Sequence, residues 1–127
     1  MSAAVSAATT LQIGNRGEDK ALQYLLDQQL SVEARNFRCK RGEIDLIMKR
    51  SLGEAGRFEL IFVEVRLRSR AEFGGAALSV SATKQRRIRM AAEFYLLKHF
   101  GAGRWPACRF DVVALETSGV NWIQGAF

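Results

Sequence analysis

A chain of 127 residues, 48% hydrophobic and 25% charged, has the size and composition of one folded domain, which excludes a disordered or low-complexity polypeptide. Its 19 Lys and Arg against 13 Asp and Glu leave a formal charge of +6, which favours an anionic partner, nucleic acid first. Cys39, Cys108 and His99 are too few for a four-ligand zinc site without carboxylates and show no CxxC spacing, so both cysteines are expected as free thiols.

Met1 to Thr10 has small residues but neither a basic start nor a run of large apolar ones, and no stretch approaches the ~18 apolar residues of a membrane span. The expectation is a cytoplasmic protein with no membrane association, a disordered tail over 1–12 and a single domain over 13–127. From Arg16 to about Leu30, Ala21, Leu22, Leu25, Leu26 and Leu30 recur at three- and four-residue spacings, which predicts an amphipathic helix. Glu18 falls on its apolar stripe, three, four and seven residues before Ala21, Leu22 and Leu25, and should face inward. The positive helix N-terminus also favours a carboxylate there.

Three strand-like runs follow, at about Ser31–Arg38, Glu43–Lys49 and Glu59–Arg68, joined by short glycine-bearing links that predict an antiparallel meander. After a loop around Ala71–Ser81, a second helix is expected over Thr83–His99, with Thr83 as N-cap and Ile88, Ala91, Ala92, Tyr95 and Leu96 packing inward. Arg109–Leu115 reads as a buried strand, and Val120–Ile123 returns as a hairpin across Thr117-Ser118-Gly119. A strand joined to a later one through a helix is usually parallel to it. The fold class is therefore α/β, with an αβββαβ core and a mixed central sheet flanked by helices.

Alternation along the third strand puts Ile61, Val63, Val65 and Leu67 on one face and Leu60, Phe62, Glu64 and Arg66 on the other. In the second strand Ile44, Leu46 and Met48 oppose Glu43, Asp45, Ile47 and Lys49. A hairpin folded symmetrically about Glu54 and Ala55 sets Asp45 opposite Glu64. Directly opposed residues have Cβ atoms only ~4.5–5.5 Å apart, and like charges there repel. A divalent cation with oxygen ligands, Mg²⁺ or Mn²⁺, answers that repulsion, since Mg²⁺ takes one or two carboxylates and keeps waters for phosphate oxygens. The competing reading is an ion pair of Glu64 with Arg66 or with lysines at the sheet margin.

Basic residues flank the acids in three groups: Arg35, Arg38, Lys40 and Arg41; Arg66, Arg68 and Arg70; and Lys84, Arg86, Arg87 and Arg89. Such residues position nucleic-acid phosphates, and a helix N-terminus adds its amides. The residues expected to contact nucleic acid are Arg38, Lys40, Arg41, Arg68, Lys84, Gln85 and Arg87. Phe37 and Phe73 are stacking candidates, although lone aromatics more often belong to a core.

Several blocks resemble the YraN family of small bacterial proteins, regarded as endonucleases distantly similar to archaeal Holliday-junction resolvases. They are Gly17-Glu18 with Ala21 and Tyr24-Leu25, Asn36-Phe37-Arg38-Cys39, Gly42-Glu43-Ile44-Asp45-Leu46-Ile47, Phe62-Val63-Glu64-Val65-Arg66, Lys84-Gln85-Arg86-Arg87 and Arg109-Phe110-Asp111-Val112. The likeness runs from about Ile13 to Leu115. It implies the restriction-endonuclease-like PD-(D/E)xK fold, in which a helix supplies one acid, two strands supply Asp and Glu, and a lysine lies two residues beyond the Glu. Those positions are Glu18, Asp45, Glu64 and Arg66 here, with Asp45 and Glu64 as the metal ligands. The implied activity is Mg²⁺- or Mn²⁺-dependent hydrolysis of DNA, branched DNA included, and a homodimer is implied by the resemblance alone. Glu43, Lys84 and Gln85 are placed near the site, and Asp111 is given a structural role. Arg66 departs from the pattern: with a pKa above ~12 it can hold a phosphate but cannot act as a base at neutral pH. The alternative is therefore a nucleic-acid-binding module of the same fold without chemistry.

Overall fold

The computed structural model describes residues 5–67 and 80–127, with side chains described from Arg16 onward. Arg68 and Arg70 of the expected basic set and the aromatic Phe73 lie outside the described residues. Helix α1 covers Val5–Asp27 and so begins ahead of the predicted Arg16. Ala7, Ala8 and Leu11 are good helix formers, and a glycine such as Gly14 costs only about 1 kcal/mol relative to alanine inside a helix. The helix ends where Gln29 takes a left-handed φ of 71° and the Leu30 N–H returns to the Leu25 carbonyl at 3.2 Å.

Strands β1 (Ser31–Cys39), β2 (Gly42–Ser51) and β3 (Phe58–Leu67) form the expected meander. Helix α2 (Ala82–Phe100) leads to β4 (Ala107–Glu116) and β5 (Gly119–Ile123). The sheet order is β1-β2-β3-β4-β5, with only β3 and β4 parallel, as expected for a helical crossover. The α2 N-cap is Ser81, not Thr83: Ser81 is extended at φ −65° and ψ 159°, and its hydroxyl accepts the Lys84 N–H at 3.0 Å.

The β2–β3 register is the one a loop centred on Glu54 and Ala55 dictates, with Leu46 opposite Val63 and Ile47 opposite Phe62. Two layers of core follow from alternation. On one face α1 packs Ala21 and Leu25 onto Leu46, Met48, Ile61, Val63, Val113 and Leu115. On the other α2 packs Ile88, Ala91, Ala92, Tyr95 and Leu96 onto Ile47, Leu60 and Phe62. Ile44 departs from the predicted face: it joins the α2 cluster, not Leu46 and Met48. The reason lies at Asp45, where β2 leaves β3.

Candidate active site

The β2–β3 ladder runs from Ser51 opposite Phe58 to Leu46 opposite Val63 and stops there. One residue further, the Asp45 side chain replaces the ladder, its Oδ2 accepting the Val65 N–H at 2.8 Å. The two strands therefore splay at the position where their acids meet, and the twist that opens them carries Ile44 to the α2 side. Gly42 begins this splayed end and sits against α2. A Cβ on Gly42 would lie 2.5 Å from the Arg87 carbonyl oxygen, so only glycine lets the β1–β2 turn close on the helix.

Glu64 is 5% exposed, and its carboxyl stands beside that of Asp45. Burial, then the Asp45 charge, raises its pKa from 4.5 to about 7, while Lys84 pulls the other way. Asp45 is also raised, by burial first, against the lowering effect of the Val65 N–H, Glu64 and Lys84. Both carboxyls, Glu64 buried and Asp45 half-buried, therefore keep a proton to higher pH than free acids do, and they titrate as a pair. The cations beside them are Lys84, with Nζ 3.3 Å from Glu64 Oε2, and Arg66, with an Nη at 3.7 Å. The ion pair foreseen as the competing arrangement is present, and Lys84 of α2 approaches more closely than Arg66 of β3 itself.

Glu18 faces inward as its stripe indicated and reaches the same centre from the opposite layer. Burial first and the Asp45 charge second raise its pKa, and an Asn36 hydrogen bond and Arg35 lower it. Its Oε1 is buried without a hydrogen-bond partner, 3.8 Å from an Arg35 Nη. Asn36 was not assigned to the site. It sits in the middle of β1 at φ 50°, between the pairs Arg35–Leu46 and Phe37–Ile44, hence abreast of Asp45. Asparagine is among the few residues that tolerate this left-handed backbone, and such conformations gather at functional sites. An asparagine inside an otherwise strand-forming run was the available signal.

Among the described residues no three His, Cys, Asp or Glu side chains stand close enough to cage a metal ion. The donor set is instead an adjacent carboxylate pair with an orphaned third acceptor at one remove. That fits an octahedral cation held by one or two carboxylates and completed by water.

Next to Lys84, the partner of Glu64, opens a groove of about 730 Å³ between the β1–β2 turn and the first half of α2, lined by neither Asp45 nor Glu64. Arg38, Lys40 and Arg41 line one wall and Lys84, Arg86 and Arg87 the other. Its one acid, Glu43, is paired with Arg38 at 3.2 Å. The first turn of α2 carries no acidic residue, so its N-terminal dipole adds to the positive field. Of the residues expected to contact nucleic acid, Arg38, Lys40, Arg41, Lys84 and Arg87 converge on this groove. Gln85 does not line it; its side-chain amide donates to the Val80 carbonyl at 3.0 Å. Phe37 packs into the core edge-on to Tyr95. Asp111 is fully buried, accepting from Arg109, Trp122 and the Gly125 N–H, a structural role. No helix among the described residues is long and apolar enough to cross a membrane.

Comparison with known proteins places this sequence in a family. A UPF0102 protein of Ralstonia nicotianae is 50% identical over 117 residues, covering 90% of this chain and 85% of the relative. A UPF0102 protein of Janthinobacterium sp. is 48% identical over 113 residues, with 89% and 85% covered. One of Methylobacillus flagellatus is 44% identical over 119 residues, with 91% and 96% covered. The model of UPF0102, described as an uncharacterised protein family, matches residues 17–115, a span that begins at the glycine before Glu18 and ends in β4. The chain belongs to the UPF0102 family, the YraN-like group to which its sequence blocks pointed.

Proposed function

We propose that this protein is a metal-dependent endonuclease that hydrolyses phosphodiester bonds in DNA. One observation carries the reading: Asp45 and the buried Glu64 meet where β2 and β3 part, and Lys84, the ion-pair partner of Glu64, also lines a groove with five other cations. A folded chain gains no stability from setting a half-buried acid against a buried one, which argues for a ligand that needs both. Asp45 and Glu64 would hold Mg²⁺ or Mn²⁺. Such an ion, when bound, supplies an activated water and stabilises the charge of the leaving oxygen.

The chain's own residues do the rest. The Val65 N–H fixes the Asp45 carboxylate, leaving its other oxygen for the ion. Glu18, with a free buried acceptor, receives a hydrogen bond from water on the α1 side of the pair. Lys84 and Arg66, already beside Glu64, turn their charges to the scissile phosphate once the acids have another counter-ion. Arg66 orients and neutralises; it takes no proton. Arg38, Lys40, Arg41 and Arg87 hold flanking phosphates, which sets the position of the strand without reading its sequence.

A second reading is a DNA-binding module of the same fold without chemistry. The observation favouring it is that Lys84 and Arg66 already compensate Glu64. Incubation of linear, flapped and four-way DNA with Mn²⁺ separates the two. The nuclease reading expects cleavage that Glu64→Ala abolishes while its circular dichroism stays native. Binding with no cleavage of any of the three DNAs would leave the second reading standing, and cleavage retained in Glu64→Ala would remove the site assignment.

A further inference from the structure

We propose that the exposed ring of Phe94 is a stacking platform for an unpaired base, which makes DNA with a single-stranded arm the preferred substrate class. The inference rests on the reading of the basic groove as a DNA track. Helix α2 buries Ile88, Ala91, Ala92, Tyr95 and Leu96, yet Phe94 stays 48% exposed. Its ring is backed by Phe37 at a centroid distance of 6.2 Å, and Phe37 is in turn wedged edge-on against Tyr95 at 5.2 Å. The exposed ring therefore leans on an aromatic cluster at the edge of the core.

What lies beside the ring names its ligand. Phe94 closes a cleft of about 460 Å³ whose other walls are Arg38, Cys39, Lys40 and Arg41. Those four residues also line the groove that holds Lys84, the partner of Glu64, so the two clefts adjoin along the β1–β2 turn. A π face among three cations suits a polyanion that carries flat bases. Single-stranded nucleic acid is bound in this way elsewhere, with bases stacked on aromatics and phosphates on lysine and arginine. The second cleft that Phe94 borders holds Glu93, Leu97 and Met90 with only Arg41 as a cation, so charge directs a strand to the first. A continuous duplex has no base free to stack, whereas a flap or a branch point does.

Phe94 is ten residues beyond Lys84 on α2, an axial rise of about 15 Å at ~1.5 Å per residue, so the stacked base lies several nucleotides from the phosphate at the acid pair.

The test is fluorescence anisotropy without divalent cation, comparing a duplex with a short single-stranded arm and a plain duplex of equal length. Wild type is expected to bind the armed DNA more tightly. Phe94→Ala should weaken that binding about tenfold and leave plain duplex unchanged, and Phe94→Trp should restore it. Equal loss on both DNAs, or none on either, would overturn the proposal. So would unchanged DNA binding together with a change of oligomeric state on size exclusion, which would assign the ring to a protein interface. If wild type binds neither DNA, the groove reading falls and this inference with it. If both bind alike in every variant, only this inference falls.

Discussion

Replacing Glu64 by glutamine is expected to make the folded chain more stable at alkaline pH, the reverse of what a structural ion pair would give. In the folded state Glu64 holds its proton up to about pH 7, whereas its ordinary value is 4.5. Between those values the unfolded chain binds fewer protons than the folded one, so stability falls as pH rises from about 4.5 to about 7. At about 1.36 kcal/mol per pKa unit the ceiling on that loss is about 3 kcal/mol. Titration as a pair with Asp45 lowers the ceiling, and about 1–2 kcal/mol is expected in practice. Glutamine keeps the shape and carries no charge, so it removes the cost. Urea denaturation of wild type and Glu64→Gln at pH 5 and pH 8 reads the effect: near equality at pH 5, and a gain for the variant at pH 8. A variant less stable than wild type at pH 8 would refute the reasoning, because attraction to Lys84 and Arg66 would then outweigh burial.

Other expectations concern the frame around the acids. Gly42→Ala should cost about 2 kcal/mol in denaturant unfolding, because its Cβ would strike the Arg87 carbonyl, while Gly103→Ala, with open space around it, serves as the control. Asp111→Ala should destabilise by about 3–5 kcal/mol by leaving Arg109 and Trp122 without their buried acceptor, measured by the same unfolding. In the groove, Arg41→Ala and Arg87→Ala should each reduce the slope of log affinity for duplex DNA against log salt by about one, with no change in sequence preference.

Most of this architecture is legible in the chain because burial is written in its periodicities. Ala21 and Leu25 at helical spacing, Ile61 and Val63 at strand spacing, and a loop centred on Glu54 and Ala55 together fix the register that brings Asp45 to Glu64. The inward turn of Glu18 follows from the same stripe. What stayed illegible depends on contacts between distant segments. Ile44 changes face because the strands part beside it, and alternation assumes that they do not. Thr83 and Ser81 are both good caps, and only the path of the preceding chain chooses Ser81. Gln85 sits among basic residues in sequence but turns back to Val80, a local bond that composition does not show. Asn36 enters the site through a backbone angle, which its place in a strand-forming run does not show.

The central claim is that the Asp45–Glu64 pair is a cation site. Titration of Mn²⁺ into the protein by calorimetry at pH 6.5, repeated in two buffers of different ionisation heat, tests it most directly. Below about pH 7 Glu64 carries a proton that an incoming cation must displace, so the binding heat should depend on the buffer and vanish in Asp45→Asn. A wild-type protein that gives no Mn²⁺ heat, or one whose heat survives unchanged in Asp45→Asn, would contradict the account.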